Sequence, residues 1–128
     1  MAGDQRRLPI RATIYRPPKT AHVVRGGLML NSDLSKSAQA CWERTGVLGI
    51  SLWIAAVPTL EDLVAQTTPF IHRYAHLAIC SLAVLHEFET LPSGKAPHFT
   101  LLLREGTDEE LDALRDCFLV IPNPLVEG

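Results

Sequence analysis

Three side chains of the kinds that bind zinc recur four residues apart, at His72, His76 and Cys80. If residues 72–80 formed a helix, this spacing would place all three on one face, where imidazole nitrogen and thiolate sulfur could hold a zinc ion. The same segment has in part the composition of a strand, and no fourth ligand accompanies the three. The sequence therefore predicts no metal site and no bound cofactor.

A histidine and a threonine alternate in the apolar run 97–101, as His98-Phe-Thr100. The run resembles the hydrophobic-His-x-Thr-hydrophobic strand motif of the 2H phosphoesterases. In that family two such motifs face each other, each histidine exchanges protons with a phosphate ester, and the threonine hydroxyls hold its oxygens. The resemblance implies a catalytic role for His98. This chain has one such motif, because the residues after His22 and His76 lack the hydroxyl, and a hydrogen-bonded strand histidine is the alternative.

A third set is spread along the chain as Arg25-Gly, Gly-Ile-Ser51 and Glu87-Phe-Glu89. This order is similar to the Arg, Ser-Thr-Ser and Glu-x-Glu elements of the arginine-type ADP-ribosyltransferases. The resemblance implies that Arg25 binds the phosphates of NAD and that Ser51 supports the nicotinamide ribose. It also implies that Glu89 stabilises the developing oxocarbenium ion, since a carboxylate complements that positive charge. One serine of the Ser-Thr-Ser element is present, and a solvated glutamate pair is the alternative.

Charge is divided unevenly along the chain. Residues 1–25 hold six Lys and Arg against one Asp, a net charge of +5, and because the whole chain carries −2, the remainder carries −7. We expect residues 1–7 to form a flexible basic arm. Nucleic acid could bind the amino-terminal segment through its phosphates, at Arg6, Arg7, Arg11, Arg16 and Lys19. An acidic protein surface is the competing partner.

Length and composition indicate a single globular domain over residues 8–128. The 128 residues are 47% apolar and 20% charged, which is ordinary for a folded domain. No segment has the roughly 18–20 apolar residues of a membrane span, and the first residues lack the apolar stretch of a secretory signal. We therefore expect a cytoplasmic protein, with Cys41, Cys80 and Cys117 as reduced, buried thiols.

The first half of the chain predicts two strands, at 11–15 and 21–25, that could pair as a hairpin. Apolar residues from Leu34 to Thr45 then recur at helical spacing, with capping residues at 31–33 and a closing Gly46. The run 49–57 is too apolar for a surface strand, so it predicts a central strand covered on both faces.

The second half begins with a helix after Pro58, capped by Thr59. Residues 70–88 contain either a strand near 75–80 followed by a short helix, or one continuous helix, and the composition favours the first. A strand at 97–103 and a helix with a capping box at Thr107-Asp-Glu-Glu110 follow. The last residues, which include two prolines, are expected to lie across the surface.

Together these elements predict an α+β fold. We expect a two-layer sandwich in which a mixed or antiparallel sheet of four to five strands packs with three to four helices. Four segments are apolar enough to lie in the interior, and so short a chain has little volume in which to bury them. Contact with a second copy or with another protein would cover part of this apolar surface, so the sequence favours self-association or a protein partner. The sequence therefore predicts a small cytosolic accessory protein or subunit, of a bacterial operon-encoded or two-component system, that acts mainly through protein contact. An NAD-directed ADP-ribosyltransferase and a nucleic-acid-binding protein are the alternatives.

Overall fold

Six β-strands and three α-helices make up the part of the chain that the computed structural model describes, residues 9–10 and 16–126. The strands are β1 (His22–Gly26), β2 (Gly49–Ala55), β3 (His76–Ser81), β4 (Glu89–Pro92), β5 (His98–Leu102) and β6 (Leu119–Pro122). The helices are α1 (Asn31–Thr45), α2 (Leu60–Ile71) and α3 (Asp108–Arg115), with a 3-10 helix at Leu82–Leu85. The strands form one sheet in the order β4-β5-β2-β1-β3-β6, and every neighbouring pair is antiparallel.

The α+β class and the antiparallel sheet are confirmed, but the sheet has six strands where four or five were expected. The arrangement of the helices is a second correction. Val23 belongs to a core cluster that contains Leu114 of α3, whereas Val24 belongs to a cluster that contains Leu63 of α2. Because successive side chains of a strand point to opposite faces, helices cover both faces of the sheet. The two-layer prediction is therefore wrong, and the reason is β2, whose apolar run needs cover on each face.

The helix boundaries follow from local capping chemistry. Gly46 ends α1 in the left-handed conformation, with φ of 77°, and its N–H donates to the carbonyl of Trp42. Thr59 caps α2 and Thr107 caps α3, each hydroxyl accepting the backbone N–H three residues on. These predicted cap residues are confirmed. The capping box predicted at 107–110 is only half formed, because the carboxylate of Glu110 accepts the N–H groups of residues 104, 105 and 106 and not that of Thr107. The predicted cap at 31–33 is wrong, because Leu30 occupies the N-cap position and no side chain bonds there.

The segment 70–88 is a strand followed by a short 3-10 helix, as the composition favoured. The alternative of one continuous helix is wrong. His72 follows the last residue of α2, whereas His76 and Cys80 lie on β3. The helical face that would have brought these three side chains together therefore does not form.

Among the described residues, the outermost strands of the sheet are β4 and β6, two short strands that the sequence did not predict. Directly after β6, the N–H of Asn123 donates to the carbonyl of Ala75, and the register of β3 with β6 continues this pairing. Since antiparallel pairs alternate between hydrogen-bonded and non-hydrogen-bonded, the peptide groups of Val120 and Pro122 face outward. Pro122 has no N–H, so this edge offers few donors to a further strand.

Beyond β4, Ile10 forms an isolated antiparallel bridge with Ser93, and the N–H of Gly94 donates to the carbonyl of Pro9. The N–H of Ser93 donates to the carbonyl of His98, and the register places the peptide groups of Thr90 and Pro92 on the outer side of β4. The amino-terminal arm, the strand expected at 11–15 and its hairpin lie outside the described residues. So do Arg6, Arg7 and Arg11, whereas Arg16 and Lys19 are described and exposed.

Candidate functional site

The structure separates the residues of the ADP-ribosyltransferase resemblance. The half-buried Arg25 donates from Nη1 to the backbone carbonyl of Ser51, at 2.7 Å, and from Nη2 to the hydroxyl of Ser37, at 2.8 Å. Burial lowers the pKa of this guanidinium. Arg25 and Ser51 are thus brought together, but through the backbone of Ser51. Glu89 lies on the edge strand β4, two strands away from β2, at a distance of about 10 Å from that strand.

His98 instead stands in a cluster of polar side chains on β5 and the turn before it. The hydroxyl of Ser93 lies 2.6 Å from the hydroxyl of Thr100 and 3.1 Å from Nδ1 of His98. Nδ1 also lies 2.9 Å from the backbone carbonyl of Ser93. Ser93 and Thr100 are almost completely buried, with 1% and 3% of their surface exposed. The alternative of a strand histidine hydrogen-bonded to its surroundings therefore describes this geometry.

Two aromatic rings support His98 from the neighbouring strand and helix. Trp53 of β2 faces His98 in the register of the sheet, and its ring meets the imidazole edge-on, with centroids 5.6 Å apart. Phe70 of α2 stacks on Trp53 at 5.4 Å. The indole N–H of Trp53 is buried and has no hydrogen-bond partner, which is rare for a buried donor.

These residues line a cavity of about 310 Å³, called the His98 cavity below. Its described lining consists of Pro9, Arg44, Trp53, Phe70, Ser93, Gly94, Lys95, His98 and Thr100. The ionisable groups in this set are two exposed cations, Arg44 and Lys95, and one imidazole. No carboxylate belongs to the described lining. The described lining of the cavity thus combines buried hydroxyls, aromatic rings and two exposed cations.

A second groove, of about 570 Å³, is acidic and lies between α3 and the residues that follow the 3-10 helix. Its carboxylates are Glu87, Glu105, Glu109 and Glu110. Glu110 is structural, because its carboxylate accepts the backbone N–H groups of residues 104, 105 and 106. Burial tends to raise the pKa of Glu110, but the three backbone donors hold that pKa below its ordinary value.

A third region is apolar and follows the outer edge of the sheet. Four of the nine large apolar side chains that the described residues expose lie within 119–126. We call these four the β6 edge surface: Leu119, Val120, Leu125 and Val126, exposed by 64%, 36%, 40% and 42%. Leu125 also lines an apolar groove against α2. This segment is anchored by the buried Asn123, whose amide donates to the carbonyls of Ile71 and Tyr74.

The cysteines and the histidine series do not form a joint site among the described residues. Cys41, Cys80 and Cys117 are free thiols; Cys41 is buried as expected, whereas Cys80 and Cys117 are only partly buried. Burial, with the neighbouring Cys117, raises the pKa of Cys80 to about 12, which keeps it a thiol at neutral pH. Within residues 9–10 and 16–126, no three His, Cys, Asp or Glu side chains are placed to hold a metal ion.

Of the predicted site residues, His98 lies in a cavity with other polar groups. Ser93, Trp53 and Arg44 were missed. Ser93 carried one signal, since it sits in the Pro-Ser-Gly turn directly before the His98 strand. Trp53 and Arg44 gave none, because they reach the cavity from β2 and from α1.

Comparison of the chain with protein-family models, with curated proteins and with solved structures finds no match in any of the three. None of the helices in the described part of the chain has the length and apolar character needed to cross a bilayer.

Proposed function

We propose that this protein acts through protein contact, as a cytoplasmic accessory factor or subunit, and that its partner is a second copy docked at the β6 edge surface. The observation that carries the proposal is the concentration of exposed apolar side chains on one sheet edge and the residues after it. Contiguous exposed apolar surface of this kind is typical of protein–protein interfaces.

The backbone of β6 suits a two-fold partner. Val120 presents both its N–H and its carbonyl outward, so two copies related by a two-fold axis can exchange two hydrogen bonds between Val120 and its symmetry mate. The strand Leu119–Pro122 carries no charge, so this pairing brings no like charges together. The side chains of the two Val120 residues would then face each other across the axis.

The pairing cannot extend further along the strand. Two residues on, Pro122 has no N–H, and two residues before, the N–H of Phe118 is already bonded to the carbonyl of Arg115. An edge limited in this way pairs with one partner and does not grow into a continuous sheet. Such a small interface belongs to the weak class, and we expect a dissociation constant of about 1–100 μM.

The division of charge also supports a second copy as the partner. A second copy brings a basic amino-terminal segment to a domain whose last helix is acidic. Opposite charges accelerate association and favour one orientation over others. The contribution is screened by salt, so the dimer should weaken as ionic strength rises.

The test is Val120→Pro, measured by sedimentation velocity over a series of concentrations. The N–H of Val120 makes no bond to β3, and a proline with its nitrogen facing solvent is tolerated on an edge strand. The fold should therefore persist, checked by circular dichroism, while the dimer is lost. Trp42→Lys removes another exposed apolar side chain, on α1, and should leave the dimer intact.

Two outcomes contradict the proposal. One is a parent protein that sediments as a monomer at about 500 μM, well above the expected dissociation constant. The other is a dimer that survives Val120→Pro unchanged, which would place the contact elsewhere on the molecule.

A further inference from the structure

In the dimer proposed above, on which this inference rests, we propose that Leu119 is the side chain by which each copy recognises the other. Leu119 packs across the two-fold axis against Ile121 of the second copy, on the face of the sheet that carries α2. Three features support this assignment: the face on which Leu119 lies, the register of the joined strands and the apolar groove beside them.

Leu119 lies on the α2 face of the sheet, but α2 does not cover it. The register of β3 with β6 pairs Leu119 with Ile79 and Ile121 with Leu77. Leu77, Ile79 and Ile121 all pack in or against the core cluster formed with α2, and directly opposite residues of a sheet point to the same face. Leu119 nevertheless exposes 64% of its surface, the largest value among the large apolar side chains of the described residues. It is therefore the most exposed apolar side chain that a second copy at this edge can cover.

The register of the joined strands follows from the Val120 pair. When Val120 and its symmetry mate form a hydrogen-bonded pair, the next residues form a non-hydrogen-bonded pair, Leu119 of one copy opposite Ile121 of the other. Pairs of this kind are the closest in an antiparallel sheet, with Cα atoms about 4.5 Å apart. The two-fold axis is perpendicular to the sheet, so it keeps both copies of α2 on one face and creates the contact twice.

The surroundings of this contact are apolar. Leu125 belongs to the β6 edge surface and also lines a groove of about 590 Å³ against α2, so the groove continues that surface. Leu60, Val64 and Ala65 form apolar wall of the groove, and Glu61 is the one charged residue in its described lining. The strand β6 carries no charge. A leucine from a second copy is accepted on this face, whereas a partner with a charged residue at the same position would have to bury that charge among apolar groups.

Paired cysteine variants test the contact in the full chain. Leu119→Cys and Ile121→Cys, mixed in equal amounts and oxidised with diamide, should give a disulfide-linked dimer, because the expected Cα separation is one that a disulfide spans. Mass spectrometry of the proteolytic peptides should find position 119 linked to position 121. A mixture of Leu119→Cys with Val120→Cys is the matched control. The side chain of Val120 points to the opposite face of the sheet, so no link between positions 119 and 120 is expected.

Sedimentation velocity measures how much the contact contributes to the dimer. Leu119→Ala should raise the dissociation constant by about ten-fold or more, because the symmetric dimer loses two buried leucine side chains. Leu28→Ala removes the same atoms from another exposed leucine and should change the constant by less than about two-fold. Thermal unfolding should show that both variants keep the fold, since both side chains are exposed.

One result overturns this inference and leaves the proposed function standing. In that case the parent dimerises and Val120→Pro abolishes the dimer, but no link forms between positions 119 and 121. A link from 119 to 120 in its place, or equal changes in Leu119→Ala and Leu28→Ala, would also overturn it. A parent protein that stays monomeric would contradict the proposed function and this inference together.

Discussion

The His98 cavity and the β6 edge surface lie on different parts of the strand order, and they differ in the kind of groups that line them. The cavity lies beside the central strand β2, and its described lining combines buried hydroxyl side chains, aromatic rings and two exposed cations. The β6 edge surface exposes apolar side chains and one outward peptide pair, with no charge on the strand. The buried polar groups of the cavity are thus bonded within the fold, whereas the exposed apolar area of the β6 edge surface favours contact with another macromolecule.

The largest effect should come from the anchor of the β6 edge surface, Asn123. Its amide satisfies two carbonyls and its oxygen accepts the N–H of Leu125. Asn123→Ala leaves these buried groups unpaired, and we expect a loss of about 3 kcal/mol of unfolding free energy. Urea unfolding measures it, and the dimer should be lost as well.

Asn31→Ala is the control for this prediction, because Asn31 also bridges two groups, on Asp112 and Arg115, but at a partly exposed site. It should cost about 0.5 kcal/mol or less. Equal losses in the two variants would show that the end of β6 is not held by Asn123.

A smaller effect is expected in the cavity. Ser93→Ala leaves the buried hydroxyl of Thr100 without its closest partner and should cost about 1–2 kcal/mol. Thr100→Val should cost a similar amount. Because the two hydroxyls bond each other at 2.6 Å, the double variant should cost less than the sum of the two, by about 1 kcal/mol.

That double-mutant cycle is measured by urea unfolding at one pH. Additive losses would contradict the hydrogen-bonded pair. Dimer formation should be unchanged in all three variants, since neither residue belongs to the β6 edge surface. Loss of the dimer in any of them would contradict the claim that the cavity and the β6 edge surface are independent.

The third effect concerns Glu110, which belongs to neither region and whose contribution to stability depends on pH. Its folded pKa is lowered by three backbone donors, so its contribution is complete above the ordinary pKa of 4.5 and disappears as the pH falls through the folded value. Glu110→Gln should therefore cost about 1 kcal/mol at pH 7.

Melting temperatures of Glu110→Gln and the parent, taken from pH 7 to pH 3, provide the measurement. The difference between them should shrink at the acid end. A difference that stays constant over this range would contradict the assignment of the carboxylate as an ionised cap of residues 104–106.

Local patterns predicted the parts of the fold that local chemistry determines. Gly46, Thr59 and Thr107 ended or began helices because each satisfies backbone groups within three or four residues of itself. The interior strands β2 and β5 were visible as apolar runs. The edge strands β4 and β6 were missed, because each has only four residues and ends in proline, which argues against a strand.

The candidate site was predicted in one residue only. His98 stood out because of its spacing from Thr100, but its partners come from the turn after β4, from β2 and from α1. Contacts between Trp53 and His98 depend on the pairing of β2 with β5, which no local pattern specifies. The residues of the ADP-ribosyltransferase resemblance gave the opposite result. Their order along the chain resembled that of the family's motifs, but the sheet places Glu89 two strands away from Ser51.

The central claim is that a second copy docks at the β6 edge with Val120 facing its own symmetry mate. Val120→Lys and Val120→Glu test it most directly, because each variant alone places like charges across the axis, roughly 5.5 Å apart between Cα atoms. Each variant should sediment as a monomer, and an equimolar mixture of the two should recover the dimer. A mixture that stays monomeric, or single variants that dimerise as well as the parent, would contradict the account.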